Sequence, residues 1–290
     1  GGHMQFSTFH EMSISRVGIG TKRMPTTDKT HVVRLDEDAA AEIVDTASRL
    51  GINYYDTSYS HHKGEAEDFL GRQFAESGTR PYIATGYFSL VDPRYDYVFQ
   101  KQMKKLRTDC LDFYSIEGVC DLTQSRDIDS GAIDYFFDQK EKGTIRHLGF
   151  SSELSADYLD SYAAAYPWDF VRMKVNYFDW FIRDARAQYE VLAQRGIPIF
   201  SHAALRTGNV PDLKPAAREI LREARPDLDS AQWALLFVKS LDNIVSTTVN
   251  VYSPEEVTQD ARVFDDGAAL SQDEIDTLER AAHAQATIRL

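Results

Sequence analysis

The stretch Glu37-Asp38-Ala39-Ala40-Ala41-Glu42-Ile43-Val44-Asp45-Thr46-Ala47-Ser48-Arg49-Leu50-Gly51-Ile52-Asn53-Tyr54-Tyr55-Asp56 changes its period partway along. Up to Leu50 its apolar residues Ala40, Ile43, Val44, Ala47 and Leu50 fall three or four apart, the spacing of one helix face. Gly51 then acts as a stop, because glycine enters the left-handed conformation without steric cost. Residues 52–56 form a short β-branched and aromatic run, as a buried strand requires. Helix, glycine and strand make one unit.

Outward from this stretch the unit repeats. Strand-like runs recur at 17–20, 82–85, 111–116, 145–150, 170–175, 197–200 and 244–247. Helical patterns occupy 65–74, 95–106, 133–142, 185–194, 230–238 and 254–263, and a last one at 273–284 has no strand after it. Eight strands alternating with helices over about 250 residues predict an α/β fold, a single (β/α)8 TIM barrel. An open doubly wound sheet shares the periodicity. Gly18-Ile19-Gly20-Thr21-Lys22-Arg23 lacks the third glycine of a dinucleotide-binding turn, which favours the barrel.

Thirty-two Lys and Arg against 45 Asp and Glu give a net charge of −13. That excess repels phosphate backbones and anionic lipid, so no nucleic-acid or membrane partner is expected. No apolar stretch reaches the roughly 18 to 20 residues of a membrane span. Cys110 and Cys120 lack metal-ligand partners at useful spacing and read as small core residues. A cytoplasmic protein without disulfides is the expectation. Residues 1–4, Gly1-Gly2-His3-Met4, read as an expression scar, leaving 5–290 as one barrel domain of unknown oligomeric state.

Barrel chemistry gathers at the C-terminal ends of the strands. Those ends carry Asp56 and Glu117, two carboxylates aimed at one mouth, with the Tyr59 phenol three residues beyond Asp56. Such an inventory suits proton transfer on a small-molecule substrate. No nucleophile elbow, Walker A loop or H-E-x-x-H motif occurs, and no metal site is expected. His61-His62-Lys63 reads as a solvated loop, and Arg94, Lys101, Lys104 and Lys105 as a solvated helix face.

Gly51-Ile52-Asn53-Tyr54-Tyr55-Asp56-Thr57-Ser58-Tyr59, with Gly64-Glu65, Glu67, Leu70 and Gly71 after it, resembles the aldo-keto reductase superfamily. The likeness continues through Asp112-Phe113-Tyr114, Gly149-Phe150-Ser151, Val175-Asn176-Tyr177 and Ser253-Pro254-Glu255-Glu256. It implies an NAD(P)H-dependent oxidoreductase with a catalytic Asp, Tyr, Lys and His. Asp56 and Tyr59 match the first two, whereas Gly86 stands at the lysine position and Glu117 at the histidine position. The resemblance further implies cofactor contacts at Gly20, Thr21, Ser151, Ser152, Arg172, Ser201, His202, Thr248, Asn250 and Glu256. Asn250 and Glu256 replace the Lys and Arg of NADP-preferring members. A carboxylate there repels a 2′-phosphate and accepts hydrogen bonds from a ribose diol, so NADH is expected over NADPH.

Without the lysine, the phenol stays near its ordinary pKa of about 10 or rises beside the carboxylates, and is a poor acid for a nascent alkoxide. The expected reaction is therefore NADH-dependent reduction of a small cationic imine. Glu117 would bind or protonate its nitrogen, Asp56 and Tyr59 would orient it, and Lys174 or Arg172 would clamp a substrate carboxylate. Tyr87, Phe88 and Trp180 either line the pocket or cover the core. Three alternatives stay open: reduction of a C=C or C=O substrate with Glu117 protonated, a redox-neutral lyase, dehydratase or epimerase, and a non-catalytic cofactor sensor. The turn-like Thr207-Gly208-Asn209 suits a loop that covers a cofactor.

Overall fold

The computed structural model describes residues 2–28, 31–122, 124–205 and 212–287. Its eight barrel strands are β1 (Val17–Gly20), β2 (Tyr54–Asp56), β3 (Tyr82–Tyr87), β4 (Leu111–Val119), β5 (Ile145–Ser152), β6 (Phe170–Lys174), β7 (Ile199–His202) and β8 (Ile244–Asn250). Each lies parallel to its neighbours in chain order, and β8 returns to β1. Asn250 pairs with Gly20 and Gly20 with Asp56, so the sheet closes and the open alternative is excluded.

Helix α1 (Glu37–Arg49) starts where the Asp36 carboxylate accepts a hydrogen bond from the Ala39 N–H at 3.2 Å. Gly51 ends it at φ +85°. Its face buries Ile43 and Val44 completely or nearly so, each contributing about 1.5–3 kcal/mol of apolar burial. Helices α2 (Glu65–Ser77) and α3 (Tyr95–Leu106) follow β2 and β3 in the same plan.

Strand alternation sorts the side chains. Tyr54, Phe113, Phe170 and Phe200 meet inside the barrel, with ring centroids 4.8–5.8 Å apart. Two residues further along their strands stand Asp56, Ser115, Arg172 and His202, so the same parity lifts polar groups above this aromatic floor. Tyr55, Tyr114, Val171 and Met173 alternate outward into the main helix-facing core.

Several elements went unanticipated by the period. A hairpin of Phe6–Phe9 and Met12–Ser15 closes the N-terminal end, placing Phe9 5.4 Å from Phe113 and 5.5 Å from Phe200. Its strands are four residues long, too short for alternation to stand out. Helices Ala156–Ala165, Tyr177–Ile182 and Pro215–Ala224 were also missed. The first buries only Leu159, Tyr162 and Ala163, a face too thin to mark a helix. Met4 packs against the core beside Gly51, although 1–4 read as lying outside the fold. Cys110 and Cys120 are half-buried rather than core residues. Among the described residues no helix is long and apolar enough to cross a membrane.

Candidate active site

Three charges meet at the barrel mouth, one each from β2, β4 and β6. Arg172 Nη2 donates to Asp56 Oδ2 at 2.5 Å, and Arg172 Nη1 donates to Glu117 Oε1 at 3.0 Å. The side chains of Asp56, Arg172 and Glu117 are only 5, 13 and 16% exposed. Burial pushes the Asp56 carboxyl up, against the pull of Arg172 and a Thr248 hydroxyl. Burial likewise drives Glu117 up to about 7, Arg172 opposing it and Asp56 adding to it. Arg172 keeps its charge because both carboxylates face it.

This geometry corrects the expected acidic pocket without a cation. The family's lysine position cannot be refilled, because a Cβ on Gly86 would lie 2.3 Å from the Ser115 carbonyl oxygen and 2.8 Å from Glu117 Oε1. Glu117 occupies that space, and a guanidinium from β6 supplies the cation instead. Arg172, assigned to the cofactor or to a substrate carboxylate, spends two of its nitrogens on Asp56 and Glu117.

Tyr59 faces a different neighbour. Lys105 Nζ lies 5.2 Å and Lys101 Nζ 5.9 Å from its ring centroid, both from α3. Lys105 is anchored by donating to the Gly64 carbonyl at 3.0 Å. No described hydrogen bond joins the Tyr59 phenol to Asp56 or Glu117. The supposed solvated face of α3 is therefore partly turned toward the site, a contact that only the packing of α2 on α3 creates.

The two adjacent histidines are not a solvated loop either. A tight turn, His61–Gly64, holds His62 and Lys63 at φ 50° and 55°. His61 Nδ1 lies 2.8 Å from Thr21 Oγ1, and His62 Nε2 donates to the Thr21 carbonyl at 2.8 Å. Burial first and Arg172 second drive His61 down to about 3, and the same two causes bring His202 to about 3. Two neutral imidazoles thus flank the charged cluster. Behind β3, Glu67 Oε2 accepts from Thr85 Oγ1 at 2.8 Å, and Gln102 Nε2 donates to the Gly86 carbonyl at 2.8 Å. Burial raises Glu67 to about 7.

Of the cofactor positions, several are engaged within the protein. Thr21 shares a hydrogen bond with Thr57 at 2.9 Å, Ser201 with Thr247 at 2.8 Å, and Ser152 Oγ accepts from the Leu154 N–H at 3.1 Å. Gly20 leaves bare backbone, since a Cβ there would meet Asn250 Oδ1 at 2.3 Å. Ser151 is half-buried at the mouth end of β5. Glu256 accepts from the Tyr252 N–H at 2.7 Å and lies 3.8 Å from Arg23, whose guanidinium donates to the Asn250 carbonyl at 2.9 Å. Arg23 brings a cation to this end, facing the Glu256 carboxylate on which the expectation of NADH rests. Gly20, Ser151 and Arg23 fit an anionic dinucleotide, whereas Glu255 and Glu256 in the first turn of helix Pro254–Val263 oppose a phosphate at that helix start. Thr207-Gly208-Asn209 lies outside the described residues.

The pocket assignments separate. Lys174 pairs with Glu153 at 2.7 Å, each 54% exposed, so it points to solvent rather than clamping a substrate. Tyr87 is 1% exposed, donates to the Pro93 carbonyl at 3.2 Å and belongs to the core. Trp180 covers the core, 5.1 Å from Tyr189 and 5.5 Å from Phe237. Phe88 is half-buried against Gly118, just beyond Glu117.

Residues 16–283 match the model of the Aldo/keto reductase family, and the chain belongs to that family of oxidoreductases. An uncharacterized oxidoreductase, YqkF of Bacillus subtilis, is 22% identical over 305 residues, covering 93% of each chain. Among solved structures, the holo form of aldo-keto reductase AKR11C1 from Bacillus halodurans superposes with a TM-score of 0.79 at 21% identity, covering 97% of both chains. An aldo-keto reductase from Klebsiella pneumoniae in complex with NADPH gives 0.73 at 18% identity, covering 97% of this chain and 95% of that one.

Proposed function

We propose that this chain is an NAD(P)H-dependent reductase of a small carbonyl or conjugated enone, with Glu117 rather than Tyr59 as its proton donor. The observation that carries this reading is the Glu117 carboxyl, buried at the mouth, hydrogen-bonded to Arg172 and raised to about 7. A bound nicotinamide cofactor would supply the hydride. Asp56 ionised, Arg172 charged and Glu117 protonated sum to zero charge (−1 + 1 + 0). A neutral acid in that setting can donate from its carboxyl oxygen to a substrate oxygen as negative charge develops there. The Arg172 guanidinium then stabilises the carboxylate left behind. His61 and His202, neutral at pH 7, add hydrogen-bonding capacity without charge.

The cationic-imine reading loses its main support, because Arg172 already answers the two carboxylates. With Glu117 ionised the cluster carries only −1 (−1 − 1 + 1). The Klebsiella pneumoniae relative is described with NADPH, which together with Arg23 supports use of the phosphorylated cofactor.

Initial rates of NADPH and NADH oxidation with an aldehyde, a ketone, an enone and a cyclic imine test the proposal. Glu117→Gln is expected to lower kcat about 100-fold on the oxygen substrate with cofactor binding retained. Wild-type kcat/KM should fall as pH rises through about 7, where Glu117 loses its proton. An unaffected Gln variant removes Glu117 from the chemistry. Activity confined to the imine, and increasing above that pH, restores the cationic reading.

A further inference from the structure

The opposite pole of the barrel carries a cluster that the mouth does not use. The hairpin turns at His10-Glu11, with His10 held at φ 50°, a left-handed conformation uncommon for a residue with a side chain. That turn lays the His10 ring over His147, centroids 4.9 Å apart and planes within 19°. His147 projects from the start of β5, is 7% exposed, and its Nε2 is buried with no hydrogen-bond partner. A buried imidazole nitrogen left unsatisfied costs free energy and signals a missing partner.

Asp169, just before β6, completes the group. Its Oδ2 accepts from the Leu148 N–H at 2.8 Å and pairs with Lys140 Nζ at 2.7 Å, which fixes the carboxylate and leaves Oδ1 for another partner. One nitrogen from each histidine and one oxygen of Asp169 lie within 4.8 Å of one another. Two imidazoles and a carboxylate are a donor set for zinc and its first-row neighbours. Magnesium and calcium prefer oxygen alone. Tetrahedral zinc with bonds of about 2.0–2.1 Å needs donors roughly 3.4 Å apart. Closing the site requires His10, exposed on its two-residue turn, to rotate its ring out of the stack, because near-parallel imidazoles do not aim their nitrogens at one point.

We propose that His10, His147 and Asp169 form a zinc-binding site that clasps the N-terminal hairpin to the barrel floor. The backbone N–H of Leu148 holds the carboxylate from behind, and Phe9 and Phe113 wall the His147 ring. The site is structural and lies at the far end from Asp56, Glu117 and Arg172.

Isothermal titration of the full, chelator-stripped chain with zinc chloride, alongside thermal melts, tests this. One equivalent of zinc should bind saturably and raise Tm, while magnesium should do neither. His10→Ala, on an exposed turn, keeps the positive φ at a small cost in stability, should still fold and should lose at least about tenfold in zinc affinity. Asp169→Asn should weaken binding as well. Absence of saturable binding overturns the site, and so does binding that His10→Ala leaves intact, since zinc would then sit on other histidines. If His147→Gln fails to fold, His10→Ala decides alone.

Discussion

Arg172 is the side chain on which the charges of the mouth depend. Its guanidinium reaches Asp56 with one nitrogen and Glu117 with another, in a site where water scarcely enters. Taking three charged groups out of water is costly, and removing one partner leaves the others uncompensated. Arg172→Gln is therefore expected to destabilise the fold by about 3–5 kcal/mol. Adding Glu117→Gln to that variant should recover part of the loss, because one stranded carboxyl is gone. Denaturant unfolding of the wild type, both single variants and the double variant measures the coupling. Strictly additive losses would show that the pair is adjacent without interacting.

The pairing of β3 with β4 sets the room that Glu117 occupies. Gly86 lies opposite Ser115 in the ladder, and its missing Cβ gives the carboxylate its place. Gly86→Ala should cost roughly 1–3 kcal/mol through overpacking and push Glu117 away from Arg172. The measurements are Tm and kcat on the same preparation. Full activity with a normal Tm would mean that the strands shift freely there, contrary to the close approach of the Ser115 backbone. A lysine at this position, which family resemblance suggests as a reversion, meets the same obstruction before its ammonium can reach anything.

Across the whole molecule, two sets of buried groups oppose each other in their response to pH. Glu67, Glu117 and Asp260 are each raised to about 7 in the fold, from 4.5 for the glutamates and 3.8 for the aspartate. The folded chain thus retains protons that the unfolded chain releases. Their contribution is complete below about 4 and is lost as pH rises through about 7. His61 and His202 behave oppositely: lowered to about 3 from 6.5, they stay neutral while the unfolded chain takes up protons, so stability is lost as pH falls below 6.5. Because three carboxyls outnumber two imidazoles, Tm should be highest near pH 4.5, decline gently to about 6.5 and more steeply to about 7, and also fall toward pH 3. A calorimetric Tm that keeps climbing from pH 6.5 to 8 would contradict this balance.

Period and punctuation were enough to determine the alternating strands and helices, while closure into a barrel was decided by the pairing of β8 with β1. A strand covered by helices on one side and packed inside a barrel on the other is apolar throughout, and each helix must hide one face. Helices Tyr95–Leu106, Ala185–Gln194 and Pro254–Val263 begin and end where their patterns do. The positions of Asp56 and Glu117 at strand ends were legible for the same reason. Alternation also held a signal left unread: Arg172 lies two residues after Phe170, on the strand face that points into the barrel. What tertiary structure alone decided is which charges meet. Arg172 is 116 residues from Asp56 and 55 from Glu117, and Lys105 reaches Tyr59 only because α3 packs beside α2. His10 and His147 meet only because a short hairpin folds under the barrel. Local sequence sets the shape of each element through backbone geometry. Electrostatic partners across a closed sheet depend on distances that only the completed fold establishes.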